Sequence, residues 1–291
     1  MEKVNSLSSR ERYSEEINRI VDDMSLLDDD LMARVFENNI PATELLLQTI
    51  LNMDLSVKES IGQMEFKSPV IDGRNIKLDI YATDSNGRQF NCEVQRRNSG
   101  ADPKRVRYHS SMMDTRALQA SELFTEIKDT YVIFITEKDY YNKGKPLYKV
   151  DRTVCFDDKE EPFSDGSHIV YVNGSYEGND PLGQLMADFR NTTVDGFNNP
   201  ILEKGVKHFK IDEGGRNIMC DTVEKYAEKI GKIERAEGRE EGRTEGRAEG
   251  REKERILSIK NIMKKLQYTA EQAMELLEIP VSERSKYLSM L

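Results

Sequence analysis

Long apolar runs are missing from this 291-residue sequence. None approaches the ~20 residues that a membrane-spanning helix requires. The opening Met1-Glu2-Lys3-Val4-Asn5 has no hydrophobic region of the kind a secretory leader carries, so a cytoplasmic address with no membrane partner is expected. Cysteine is scarce too. Cys92, Cys155 and Cys220 are odd in number and far apart, which argues against a disulfide framework or a Cys-x-x-Cys zinc site. Three histidines offer no visible ligand set, and His168 stands alone at the start of a strand-like run. Positive charge is also in deficit, 43 Lys and Arg against 53 Asp and Glu. Phosphate attraction is electrostatic, so the formal net charge of -10 argues against a surface coated for nucleic-acid binding and leaves room only for a local basic track. With 37% hydrophobic and 33% charged residues, the chain can hold one sizeable core plus a polar appendage.

What is present is organised around residues 76–95. Ile76, Leu78 and Ile80 alternate with Lys77, Asp79 and Tyr81, the period of a half-buried strand. Asp84-Ser85-Asn86-Gly87 supplies the turn, because Asn and Gly both tolerate positive φ. The chain returns with Phe90, Cys92 and Val94 facing the core. Pairing back from the turn sets Asp79 opposite Cys92 or Glu93. Asp79 and Glu93 then share a polar face, with Gln95 next along. Two carboxylates held so close repel, and a site that keeps both ionised usually shares a hard cation such as Mg²⁺ between them. The same spacing also suits a solvated hairpin face with ordinary acidic residues.

The flanking segments read as scaffold. Residues 1–26 form a polar lead-in, after which Asp28-Asp29-Asp30 offers caps for a helix through Leu31 and Phe36. Pro41, Thr43 and Glu44 open a second helix through Leu45, Leu46, Ile50 and Leu51. Beyond Gln95 lies a basic cluster of Arg96, Arg97, Lys104, Arg105, Arg107 and His109. Pro103 opens a helix expected to run to about residue 121, with Val106, Met113, Ala117 and Leu118 inward. Such a cluster can hold phosphates, and it can equally pair with an acidic hairpin. Thr130-Tyr131-Val132-Ile133-Phe134-Ile135-Thr136 is a strand buried on both faces. Short strands follow at residues 148–150 and 168–172, and helices at 182–189 and 201–209, in an order that suits a three-layer α/β architecture with a central mixed sheet.

The tail is different material. Between residues 237 and 252 Glu-Gly-Arg recurs with a period of four. Four glycines inside a helix cost about 4 kcal/mol against alanine, which favours a flexible charged linker. On a helix, however, the period aligns glutamate, glycine and arginine stripes. Two parallel helices meeting at the glycine seam would set Glu against Arg, so a parallel homodimeric stalk is expected. Residues 252–266 and 270–277 are amphipathic, with Thr269 as a cap and Pro280 as a break. The expected division is a lead-in over 1–26, an α/β domain over 27–213, a stalk over 214–255 and a helical module over 256–291.

The order Leu78-Asp79-Ile80, Glu93-Val94-Gln95, Arg105-Val106-Arg107-Tyr108-His109-Ser110-Ser111-Met112 and Tyr131-Val132-Ile133-Phe134-Ile135-Thr136-Glu137 resembles the PD-(D/E)xK nuclease family transposases, also called recombination-promoting nucleases. The likeness runs from about residue 27 onward. It implies a restriction-endonuclease-like core and hydrolysis of DNA phosphodiester bonds dependent on Mg²⁺ or another divalent cation, with Asp79 and Glu93 as metal carboxylates. Arg107 and Tyr108 match the family's Arg-Tyr element, and with Lys104 and Arg105 they are the candidate DNA contacts. A helix before the hairpin often adds an acidic group in this superfamily, for which Glu37 and Glu44 are candidates. The sequence departs from the wider superfamily at Gln95, where most members have lysine. Gln95 can orient a water through its amide but cannot take its proton. Lys77 either returns the missing charge or is a solvated strand lysine. The alternative to an active endonuclease is a catalytically weak, nuclease-derived protein that binds DNA or serves oligomeric interactions.

Overall fold

The computed structural model describes residues 8–96, 98–157 and 159–291, with only the backbone described at Ser9, Asn98, Ser99 and several positions between 233 and 249. Arg97 of the basic cluster and the opening residues 1–7 therefore lie outside the described residues. The chain divides after Glu224 into two compact units.

In the first unit four helices lead in: α1 (Ser9–Arg12), α2 (Glu15–Asp23), α3 (Asp29–Phe36) and α4 (Ile40–Leu51). Strand β1 (Val57–Phe66) follows, then the hairpin read from the sequence as β2 (Ile76–Asp84) and β3 (Gln89–Gln95). A 3₁₀ turn, Asn98–Ala101, precedes α5 (Pro103–Asp114). The chain continues through β4 (Thr130–Thr136), β5 (Leu147–Val150), β6 (Thr153–Phe156), β7 (Lys159–Pro162) and β8 (Ser167–Asn173), then α6 (Pro181–Arg190) and α7 (Pro200–Lys210). Six strands form one mixed sheet in the order β1-β2-β3-β4-β8-β5, and β6 with β7 forms a separate ribbon. The β1, β2 and β3 pairings are antiparallel, β3–β4–β8 run parallel, and β5 closes the edge antiparallel to β8. This is a three-layer α/β fold of the restriction-endonuclease-like kind.

Packing explains the layers. Every residue of β4 is buried, as its β-branched and aromatic run requires. One sheet face, carrying Ile80, Ala82, Phe90, Cys92, Val94, Ile133 and Ile135, packs against apolar residues of α3, α4, α6 and α7. The other, with Phe66, Ile76, Leu78, Val132, Phe134 and Tyr171, is covered by Val106, Met112 and Met113 of α5. Ile76 and Leu78 thus lie on the face opposite Ile80 and Ala82, although all four are even-numbered positions of β2. The single core face expected for Ile76, Leu78 and Ile80 is corrected accordingly. The switch falls at Asp79, across from Gln63, whose φ of 54° lies in the left-handed region. In β1, a Cβ on Gly62 would meet the Ala33 carbonyl oxygen of α3 at 2.5 Å, so only glycine permits this approach. Two positions on, Met64 and Phe66 belong to the α5 side.

Helix α5 ends at Asp114 rather than near residue 121. There the Thr115 hydroxyl donates to the Met112 carbonyl (2.7 Å), and Arg116 leaves the helix line to stack over Phe66, 4.4 Å from the ring centroid. Local side-chain bonding of this kind competes with helix propagation.

The long helix α8 spans Glu213–Leu266, and α9 (Ala270–Leu276) and α10 (Val281–Leu288) complete the chain. In the second unit Ile259, Ala273, Met274, Ile279 and Tyr287 make a small core. Thr269 and Gln272 form a reciprocal capping box at α9, and Pro280 caps α10. The Glu-Gly-Arg repeat is helical in its backbone, but the side chains of Glu237, Glu241, Glu245 and Glu249 lie outside the described residues.

Candidate active site

The β2–β3 ladder runs from Thr83↔Gln89 to Ile80↔Cys92 and stops. One step further the same register would face Asp79 with Glu93, but here the strands are joined through carboxylates. The Val94 N–H donates to Asp79 Oδ2 (3.0 Å), and the Asp79 N–H donates to Glu93 Oε1 (3.3 Å). Main-chain donors left by the ending ladder are thereby satisfied, and the two acids are brought together. The structure brings the Asp79 and Glu93 side chains together at the end of the ladder.

Burial governs their charge. Glu93 is fully enclosed, and Asp79 is largely so. Desolvation pushes Asp79 up to about 7; the Asp29 carboxylate adds to this, while the Val94 N–H, Arg105 and Lys77 oppose it. Glu93 is raised well above the ordinary carboxylate range, first by burial and then by Asp79. Its Oε2 is buried without a hydrogen-bond partner, and the nearest cation is Arg105 at 3.7 Å. His109 of α5 lies 3.6 Å from Glu93 Oε1 and 3.3 Å from Asn91 Nδ2. Burial, with Arg105 and Arg74, lowers His109 to about 4, so its ring is neutral at neutral pH and the close approach to Glu93 is not an ion pair.

Gln95 follows Asn91 and Glu93 on the same side of β3. A Cβ added to Gly100 of the 3₁₀ turn would meet Gln95 Oε1 at 1.8 Å, so the amide rests directly against that glycine. Beside the acids opens a groove of about 590 Å³ lined by Arg74, Asn75, Ile76, Lys77, Lys104, Arg105, Tyr108 and His109. The Tyr108 hydroxyl donates to the Arg74 carbonyl (2.6 Å), tying α5 to the β1–β2 connection. The structure thus gathers Lys104, Arg105 and Tyr108 of the predicted DNA contacts, together with Lys77. Arg107 is not among the groove residues; it is exposed on α5. Neither Glu37 nor Glu44 joins Asp79. Glu37 pairs with Arg34 (3.2 Å), and Glu44 accepts from the Val57 N–H (2.8 Å), at the end of β1 that faces Asp84.

The acidic group that α3 does bring towards the pair is Asp29. It is partly desolvated and raised by burial and by Asp30, with Lys77 acting in the opposite direction. Its neighbours have other duties: Asp28 pairs with Arg96 (2.7 Å) and Asp30 accepts from Gln63 Nε2 (2.6 Å). Three consecutive aspartates read as helix caps, and the signal that one of them acts on Asp79 lies in the fold.

Among the described residues no group of three or more His, Cys, Asp or Glu side chains is arranged to hold a metal ion. The Asp79–Glu93 pair fits a divalent cation on two grounds. Glu93 Oε2 is a buried carboxylate oxygen with no hydrogen-bond partner, and two hard oxygen donors suit Mg²⁺, which is commonly bound by one or two carboxylates and keeps several waters.

Residues 33–174 match the family model described as PD-(D/E)XK nuclease family transposase. The matched segment holds Asp79, Glu93, Gln95 and all of α5, while Asp29 lies just before it. No curated protein and no solved structure matches the chain.

Proposed function

From the match of residues 33–174 to nuclease family transposases, we propose that this protein is a metal-dependent endodeoxyribonuclease whose site is Asp79, Glu93 and Gln95. The observation that carries the reading is the buried Glu93 Oε2, which lacks a hydrogen-bond partner, beside Asp79 at a groove lined with Arg74, Lys77, Lys104 and Arg105. Asp79 and Glu93 would hold Mg²⁺ or another divalent cation. Such an ion, when bound, polarises the phosphoryl oxygen and lowers the pKa of an attacking water.

The remaining roles belong to the chain. Lys104, Arg105 and Arg74 hold the phosphodiester backbone in the groove. Lys77 offsets the negative charge of Asp79 and Asp29, on both of which it acts. Gln95 orients water through its amide and has no titration near neutrality, so pH dependence comes from other groups. Asp29 adds a third negative charge at the mouth of the pair.

The test is plasmid cleavage in Mg²⁺ by Asp79→Ala and Glu93→Ala, with calorimetric titration of Mn²⁺ into each. Loss of cleavage by more than about a hundredfold together with loss of ion binding is expected; parental cleavage by both variants would end the assignment. Gln95 favours a second reading, a DNA-binding protein with weak hydrolysis, in which duplex binding survives and turnover stays low even in the parent. Under either reading the Glu-Gly-Arg segment of α8 joins two chains as a parallel helix pair, which would give a duplex cutter one site per strand. No helix of the described residues is long and apolar enough to cross a membrane, and the proposed setting is DNA in the cytoplasm.

A further inference from the structure

The connection between β1 and β2 carries the most exposed aliphatic side chain among the described residues of the first unit. Ile71 is 91% exposed and Val70, beside it, 68%. The turn that presents them is braced. The Gly73 N–H donates to the Val70 carbonyl (3.0 Å), the Ser68 N–H to Asn75 Oδ1 (2.9 Å) and the Val70 N–H to Ser68 Oγ (3.2 Å). Asp72 sits in the left-handed region at φ 61°. A Cβ on Gly73 would lie 2.8 Å from Ser68 Cβ and 2.9 Å from the Val70 carbonyl oxygen, so a larger residue would force the turn to shift. At its base, Asn75 Nδ2 donates to Glu65 (3.3 Å) and the Arg74 carbonyl accepts from Tyr108. Two aliphatic side chains are thus held out on a short, cross-braced turn.

The surroundings select the partner. Residues 67–77 contain the cations Lys67, Arg74 and Lys77 against one carboxylate, Asp72. Arg74, Asn75 and Lys77 already line the groove, so the apolar tip begins where the basic track ends. An apolar protein surface would complement the two aliphatics but not the cations flanking them, whereas duplex nucleic acid presents phosphates outside and an apolar base stack within. Apolar wedges flanked by basic residues enter base steps in many DNA-distorting proteins.

Resting on the nuclease reading above, we propose that the β1–β2 turn is a wedge: Val70 and Ile71 insert at a base step of the duplex while Arg74 and Lys77 hold the adjoining phosphates. Local unstacking bends the backbone, which brings a phosphodiester towards the recessed carboxylates. Flexible pyrimidine–purine steps, the cheapest to open, are then the preferred positions.

The test uses the full chain and duplexes with 2-aminopurine at successive positions. Binding and fluorescence are read in an Asp79→Asn background with and without Val70→Ser/Ile71→Ser, and hydrolysis of bis(p-nitrophenyl) phosphate is read with Asp79 intact. With the native turn, fluorescence rises at one step on binding. The double variant abolishes the rise and weakens duplex affinity about tenfold, Ile71→Leu restores both, and hydrolysis of the small diester is unchanged by the turn substitutions. No rise at any position, or equal affinity and fluorescence in the double variant, overturns the wedge while leaving a cleaving enzyme intact. Failure of the chain to bind duplex or to hydrolyse either substrate overturns the wedge and the nuclease reading together. A change in oligomeric state alone in the double variant assigns the tip to a protein contact and also overturns the wedge.

Discussion

Asp79→Asn should make the metal-free protein more stable as it abolishes cleavage. The substitution keeps the shape and an oxygen for the Val94 N–H (3.0 Å in the parent) while removing a charge from a desolvated place. In the parent, burial raises Asp79 from 3.8 to about 7. A folded-state pKa above the unfolded value means that the native state binds the proton more tightly. The contribution of Asp79 to native stability is therefore greatest below about pH 4, falls as pH rises towards 7 and levels off above it. The rise corresponds to a ceiling of about 4 kcal/mol at pH 8. Replacing a carboxylate acceptor by an amide returns about 1 kcal/mol of that. The net expectation is a gain of a few kcal/mol at pH 8 that vanishes near pH 4. Urea unfolding followed by circular dichroism, in chelator at both pH values, measures it. Adding Mg²⁺ should then stabilise the parent and leave Asp79→Asn unmoved, because only the parent binds the ion. An asparagine variant less stable than the parent at pH 8, or a difference between variant and parent that fails to shrink from pH 8 to 4, would refute the electrostatic account of this site.

Other expectations follow from the same geometry. Gln95→Glu should depress cleavage by adding a negative charge beside Glu93, and Gln95→Lys should be tolerated; indifference of kcat to both would place the amide outside the reaction. Gly100→Ala should displace the Gln95 amide, whose oxygen would lie 1.8 Å from the new carbon. Because the clash is with a flexible side-chain end, melting should move little while kcat falls about tenfold; an unchanged kcat would detach Gln95 from the water. Sedimentation of the intact chain should show a dimer that a version ending near Gly231 lacks, and the dimer should weaken with salt, since exposed ion pairs contribute only ~0.5 kcal/mol each. A monomer in both cases removes the stalk from the mechanism, and crosslinks joining the Glu237 end to the Arg251 end across chains would show antiparallel pairing.

The parts legible in the sequence were those set by local chemistry. Residues 130–136 read as a central strand because β-branched and aromatic side chains leave little else, and Asn86-Gly87 fixed the hairpin closely enough to bring Asp79 towards Glu93. The change of sheet face at Asp79 was not legible, because its correlate is Gln63 in a neighbouring strand whose Lys58, Glu59 and Glu65 obscure any alternation. Asp29 was hidden among three capping aspartates, and the distinction between Arg107 and its neighbours Lys104 and Arg105 depends on how α5 is rotated against the sheet. The glycine-rich repeat argued for a linker on propensity alone. The structure continues α8 through it, each glycine being flanked by the good helix formers Glu and Arg.

The charge balance around Asp79 gives the substitution at position 95 a physical sense. A lysine there would place its charge next to Glu93 on the same strand. In this protein the cations that lower Asp79 are Arg105 from α5 and Lys77 from β2 itself, and Arg105 also acts on Glu93. The positive charge beside the acids thus comes from the two walls of the groove, while position 95 is an uncharged amide. Under the proposed function those walls would meet incoming phosphate, so the cations that stabilise the carboxylates are also the ones the substrate would engage. Phosphate drawn to Arg105 would weaken its hold on the Glu93 charge and raise the demand for a cation between the acids. DNA and metal are therefore expected to bind with positive coupling, each tightening the other by the same factor as linkage requires. Titrations of Mn²⁺ into the parent, with and without a phosphorothioate duplex that resists hydrolysis, should show tighter ion binding in the presence of DNA. In Arg105→Ala the coupling should shrink; coupling of equal size in parent and variant would mean that Arg105 serves the substrate alone.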